Sequence, residues 1–179
     1  MVQDTRLLLV NHILAPWRPQ IGADYDAYHN HVCRMLSFCF ELHPCDEETT
    51  HKACIAGAFH DLGVWSDHTL DYLPPSARLA QDYLAREGLS DWAEEITLMI
   101  TEHHKLRKVR DTRYPLVEAF RRADLVDVSL GLYRGGIERQ RVRDIKAGLP
   151  NCGFHKRLGQ LAAGWFPHHP LRPLPFLKW

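Results

Sequence analysis

Proline and glycine cut this chain into segments, and between the cuts the apolar residues recur at the spacing of one helix face, not in alternation. In DYDAYHNHVCRMLSFCFEL, Val32, Met35, Leu36 and Cys39 fall three and four apart, a period that suits a helix buried along one stripe. Asp24 stands where an N-cap would open this helix, and Pro44 closes it. The same reading places helices at Val2 to Leu14, Asp46 to Asp61, PSARLAQDYLAREG, Ser90 to about His104, Leu116 to Tyr133, Glu138 to Ala147 and His155 to Trp165. Val64 to Tyr72 reads as a loop, KLRKVRDTR as a basic loop, and FPHHPLRPLPFLKW as an extended, proline-rich tail. No strand pattern competes. The expectation is an all-α, single-domain helical bundle over 1–179, with a core at about 24–134 and C-terminal helices and tail at 138–179.

Lys plus Arg and Asp plus Glu each number 22, so the chain lacks the basic excess of a nucleic-acid polymer binder. No run of 18 apolar residues suggests a membrane helix, and the N-terminus lacks the pattern of a signal peptide. The five cysteines, at 33, 39, 45, 54 and 152, include no zinc-knuckle pair and read as reduced thiols of a cytoplasmic protein. Histidine is in excess at 12 residues, many of them inside helical segments.

Four places in the chain draw chemistry together. His60-Asp61 ends an apolar helix. Adjacent helical residues point about 100° apart, so both can face one ion only if the backbone loosens there. His31 shares a helix face with Tyr28 and Arg34, putting a ligand, an aromatic wall and a cation on one side. Asp124 lies among Phe120, Ala123, Leu125 and Val128, where a carboxylate is costly unless it is metal-bound or paired, for example with Arg121 or Arg122. His103-His104 ends a further helix.

The order His31, His60-Asp61, Asp124, with gaps of 29, one and 63 residues, resembles the HD-domain superfamily of metal-dependent phosphohydrolases. The NHVCRM, HDLG, ITEHH and RAD segments carry the likeness, over roughly Tyr25 to Tyr133. The resemblance implies a helical bundle whose His31, His60, Asp61 and Asp124 hold one divalent ion (Mn, Fe, Co, Ni or Zn), with a metal-bound water as nucleophile on a small phosphate ester or nucleotide. It implies that His103, with His104 beside it, could reach a second ion or the substrate. The other histidine expected of two-metal members is missing near Ser76 and Arg78, and His68 is the nearby substitute, so one ion is favoured over two. An acidic residue found just after the pair in nucleotide-cleaving relatives is replaced by Val64 and Trp65. That leaves Asp67, or Asp71 further on, as candidate acid or base.

Arg34, Lys105, Arg107 and Lys108 are the candidate phosphate clamp, with Tyr28, Trp65, His68 and Tyr72 as walls of an organic pocket. The partners expected are a phosphorylated small molecule and, through the aromatic tail (Trp165, Phe166, Phe176, Trp179), a second copy of the chain. A di-iron oxygenase cleaving a C–C or C–P bond, or a non-catalytic nucleotide-binding domain, are the alternatives the same residues leave open.

Overall fold

The computed structural model describes residues 5–172 and 174–178. The expected helix start at Val2 and the tail residue Trp179 lie outside them. Among the described residues the chain has no strand and ten α-helices: α1 (Leu8–Leu14), α2 (Arg18–Ile21), α3 (Tyr25–Leu42), α4 (Glu47–Phe59), α5 (Gly63–Ser66), α6 (Leu73–Arg86), α7 (Ala93–Glu102), α8 (Pro115–Val128), α9 (Arg139–Gly148) and α10 (Phe154–Trp165). The fold is all-α, as the periodicity predicts. None of these helices is long and apolar enough to cross a membrane.

The helices α3, α4, α7 and α8 close a ring in which each packs on the next, and α3 against α8 is the most extensive contact. Helix α1 covers α4 and α3 on one side, and α6 covers α7 and α4 on another. One apolar cluster runs through the whole ring, from Leu7 to Phe154. The small residues of α4 let this happen. A Cβ on Gly57 would sit 3.1 Å from the Leu36 side chain, so the α3–α4 approach is set by the missing methyl.

Several boundaries differ from the sequence reading, each for a local reason. Helical structure continues past Leu14, because Pro16 and Pro19 each sit in the first turn of a short helical element, where the missing N–H is not needed. Asp24 does not cap α3 with its side chain: that carboxylate accepts hydrogen bonds from Trp65 Nε1 (3.0 Å) and Arg157 Nε (2.7 Å). Asp46 does cap α4, accepting from Thr49 N at 2.8 Å. The Val64–Tyr72 loop contains the single turn α5, and Ser90 opens a 3₁₀ turn before α7. Helix α8 ends at Val128, not Tyr133, because Leu130 and Gly131 take φ of 58° and 82° and Gly131 N returns to Val126 O at 2.9 Å.

Gly63, directly after the His60-Asp61 turn, is the tightest point of the fold. A Cβ there would lie 2.5 Å from the Tyr72 carbonyl oxygen and 2.9 Å from Pro75 Cγ. Gly164, inside α10, has nothing within 4 Å of its would-be Cβ. Gly63→Ala is therefore expected to destabilise the protein by about 1–3 kcal/mol, whereas Gly164→Ala stabilises it by about 0.5–1 kcal/mol. Urea unfolding of both variants checks the opposite signs; equal effects would contradict the packing described.

Candidate metal centre

The four ring helices each bring a side chain to one buried point. His31 comes from the middle of α3, His60 and Asp61 follow the end of α4, His103 follows the end of α7, and Asp124 lies on α8. All five are buried, between 0 and 4% exposed. The adjacent pair at 60 and 61 converges because α4 ends at Phe59. Beyond it the chain tightens through i→i+3 bonds, from Leu62 N to Phe59 O and from Val64 N to Asp61 O.

The imidazoles are fixed by what their Nδ1 atoms touch. His60 Nδ1 faces Gly57 O at 2.7 Å, and His103 Nδ1 faces Ile100 O at 2.7 Å. Carbonyls accept, so both Nδ1 atoms carry the proton and both Nε2 atoms keep a lone pair. His31 Nδ1 faces the Asp127 carboxylate at 2.7 Å, with the same result. The three Nε2 lone pairs then point inward. His31 Nε2 and His60 Nε2 are 3.0 Å apart, and two lone pairs at that distance repel unless a proton or a cation lies between them.

The carboxylates complete the set. Asp61 Oδ2 lies 3.4 Å from His60 Nε2, Asp61 Oδ1 lies 3.3 Å from His103 Nε2, and Asp124 Oδ1 lies 3.5 Å from His31 Nε2. Asp61 Oδ1, His103 Nε2 and Asp124 Oδ1 are buried with no hydrogen-bond partner. Orphaned buried donors and acceptors are expensive. Separations of this size are what neighbouring ligands on one ion show when metal–ligand bonds are about 2.1 Å. The residues therefore fit a metal ion. Two ligand groups are present, His31 with His60 and Asp61, and Asp61 with His103 and His104, and they share Asp61.

The electrostatics agree. Burial holds the His60 imidazole down to about 3, so it stays neutral and ligand-competent throughout the physiological range. Burial raises the Asp124 carboxyl to about 6, only partly offset by His103 and His31. Burial opposes charge on His103, but Asp61 and Asp124 outweigh it and lift the imidazole above its usual value. At Asp61, burial is likewise outweighed, here by His60 and His103, and the carboxyl is held well below its usual range.

Other expected site residues have different positions. Arg34 faces the same way as His31 but is no phosphate clamp: it is 2% exposed, with Nε 2.6 Å from Asp127 Oδ1 and Nη2 2.8 Å from Asp127 Oδ2. Its Nη1 donates to the Leu149 and Pro150 carbonyls, both at 3.1 Å. Tyr28 is buried, donates to Ala58 O at 2.9 Å and packs between His60 and Trp65, so it supports the site instead of touching a ligand. Asp67 pairs with Arg78 at the surface, and His68 lines a separate cavity with Trp65 and Trp165. Ser76, where the second extra histidine is missing, accepts from Gly63 N at 2.9 Å. Asp124 pairs with neither Arg121, which bonds Glu118, nor Arg122, which donates to Gly135 O.

His104 stands at the margin. Tyr72 Oη is 2.6 Å from its Nε2, and its Nδ1 lies 3.6 Å from Asp124 Oδ2. Phe154 stacks on the His31 ring at 4.0 Å, and Phe176 of the tail lies 4.8 Å from the His104 ring. The sequence reading names Tyr72 as a pocket wall and Phe176 as a tail aromatic, but neither Phe154 nor Asp127 as part of the site. Asp127 had a signal: Asp124 and Asp127 repeat, on α8, the three-residue spacing of His31 and Arg34 on α3. Comparison with protein-family models, curated proteins and solved structures gives no match for this chain.

Two outcomes follow for metal binding. Asp127→Asn weakens metal affinity about 10–100-fold without removing a ligand, read by competition with a chromophoric chelator. The raised groups, Asp124 and His103, hold protons that a metal must displace, so affinity increases as pH rises through about 6. Their sign in the metal-free protein is the same: a raised group stabilises the fold at low pH, and that contribution is lost as pH rises through its folded value. The gain in melting temperature on adding metal should therefore widen between pH 5 and 8. A constant or shrinking gain would count against this arrangement.

Proposed function

We propose that this chain is a metal-dependent phosphohydrolase of the HD-domain type, acting on a small phosphate ester. The observation that carries the reading is the convergence of three tautomer-fixed Nε2 atoms on the Asp61 and Asp124 carboxylates, whose Oδ1 atoms are buried with no hydrogen-bond partner. His31, His60, Asp61 and Asp124 would hold the ion, with His103 against Asp61 as a fifth donor. A divalent ion there supplies Lewis acidity toward a phosphoryl oxygen and lowers the pKa of a bound water.

The chain's own groups prepare the rest. Tyr72 Oη and His104 Nε2 share a hydrogen bond at 2.6 Å, and His104 Nδ1 faces Asp124 Oδ2 at 3.6 Å, so the tyrosine holds this imidazole against the cluster. Phe154 and Phe176 keep bulk water from the two imidazole faces they cover, which strengthens every charge interaction inside. His104, whose side chain is 16% exposed, is the group of this cluster that a substrate can meet from outside.

A second reading has one observation in its favour. The two ligand groups sharing Asp61 would also accommodate two irons, as an oxygenase requires. Elemental analysis of tag-free protein, for wild type and Asp61→Ala, combined with a phosphate-ester panel in Mn, Co and Ni, separates the readings. The expected result is bound metal in the wild type, none in Asp61→Ala, and phosphate release that falls to background in the variant. Two irons per chain with oxygen uptake would replace hydrolysis by oxygenation, and nucleotide binding without turnover by wild type would leave a binding domain.

A further inference from the structure

Lys105, Arg107, Lys108 and Arg110 line one open cavity of about 710 Å³, on the loop that begins right after His104. In a chain with 22 basic and 22 acidic residues, four cations around one cavity form a local excess. The acids nearby are already taken. Glu102 pairs with Lys105 and Lys178, Glu118 pairs with Arg121 and accepts from Val109 N, and Asp111 pairs with Arg113. Among the described residues, Arg107, Lys108 and Arg110 form no ion pair.

A solvated basic loop would normally be loose, and this one is pinned on both sides of Arg107 and Lys108 and at the residue before Arg110. Arg121 Nη1 donates to Lys105 O at 3.0 Å, Leu106 N donates to Lys178 O at 2.8 Å, and Val109 N donates to Glu118 Oε2 at 2.9 Å. Anchors at 105, 106 and 109 fix the backbone that carries 107, 108 and 110. The side chains pay less entropy to converge on a ligand as a result. With Arg34 locked to Asp127, these are also the cations nearest in sequence to the cluster that are free to meet an anion.

We propose that this cavity binds an oligophosphate group, two or more linked phosphates, carried by the molecule whose ester is cleaved at the metal centre. Guanidinium and ammonium donors match phosphate oxygens with charge-assisted hydrogen bonds. One phosphate engages one or two such groups, whereas three unpaired cations and a fourth at the rim call for the higher charge of a linked chain. That the bound group belongs to the substrate rests on the phosphohydrolase reading; the binding itself does not.

The test uses inorganic tripolyphosphate and orthophosphate as probes, by calorimetry, on the protein as purified and on Asp61→Ala, which has no ion for the probe to strip. Tripolyphosphate is expected to bind both proteins, and to bind Asp61→Ala at least about tenfold more tightly than orthophosphate does. The exposed triple change Arg107→Glu, Lys108→Glu, Arg110→Glu should lose this binding while keeping metal content and melting temperature. The milder triple change to Gln should give an intermediate loss. Tripolyphosphate affinity unchanged in the Glu variant, or equal affinity for orthophosphate, would overturn the assignment. So would tighter binding of single-stranded RNA that grows with its length, which would make the cavity a polymer site. Tripolyphosphate binding in a wild type that holds no metal would leave the cavity standing and remove the hydrolase.

Discussion

The carboxylate of Asp127 sits where three parts of the molecule meet. Its two oxygens take His31 Nδ1 at 2.7 Å and the Arg34 guanidinium at 2.6 and 2.8 Å, and through Arg34 they reach the Leu149 and Pro150 carbonyls between α9 and α10. Both partners lie on α3, so the strongest helix contact in the fold is cross-linked by charge inside its apolar face. Burial would raise this carboxyl, but His31 and Arg34 outweigh it and keep it ionised. Breaking a buried pair of this kind costs about 3–5 kcal/mol, a large part of the roughly 5–15 kcal/mol that holds a domain together. The same interaction that locks α3 to α8 thus also decides which nitrogen of His31 is left to bind a ligand.

The other two imidazoles are set by helix ends. A helix leaves its last carbonyls without intrahelical partners, and His60 and His103 each reach back three residues to satisfy one, at Gly57 O and Ile100 O. Each bond spends Nδ1 on the helix and turns Nε2 toward the ring centre. The helix terminus therefore does two things at once: it releases residue 61 from the 100° offset of the α geometry, and it fixes the tautomer of residue 60. The tightness of the following turn has a cost, met by Gly63 against the Tyr72 carbonyl and by Ser76 accepting from the Gly63 N–H.

The helices were legible because period and breaker residues are local properties, and so was the convergence of His60 with Asp61 once a helix end was placed between Phe59 and Gly63. Asp124 was legible as a carboxylate too costly to leave alone among apolar neighbours. Arg34 shows where that reasoning stops. Sequence gives the face a side chain shares with His31 but not what stands opposite that face, and what stands opposite is Asp127. The α8 end was misplaced for a similar reason: Leu130 adopts a left-handed conformation that its type does not announce, and only the packing of the 129–133 turn selects it. The tail, expected to lie extended, instead opens with a 3₁₀ turn at Phe166–His168 and goes on through turns, and the contact of Phe176 with Tyr72 and His104 joins residues far apart in the chain.

Charge balance constrains how many ions the cluster would accept. Asp127 is neutralised by Arg34, so the fixed negative charge of the centre is that of two carboxylates, Asp61 and Asp124. Without metal that charge is offset by protons, on His103, which Asp61 and Asp124 lift above its usual range against burial, and on Asp124, which burial raises to about 6. One divalent ion replaces those protons and leaves the buried centre neutral, the least costly state in a low-dielectric interior. A second divalent ion on Asp61, His103 and His104 would leave an excess of two positive charges in nearly the same volume. That excess is tolerable only with an anion in place, such as the phosphate group proposed for the cavity of Lys105, Arg107, Lys108 and Arg110 on the loop after His104. On the proposed metal-binding reading, occupancy of the second ligand group would then depend on the bound anion.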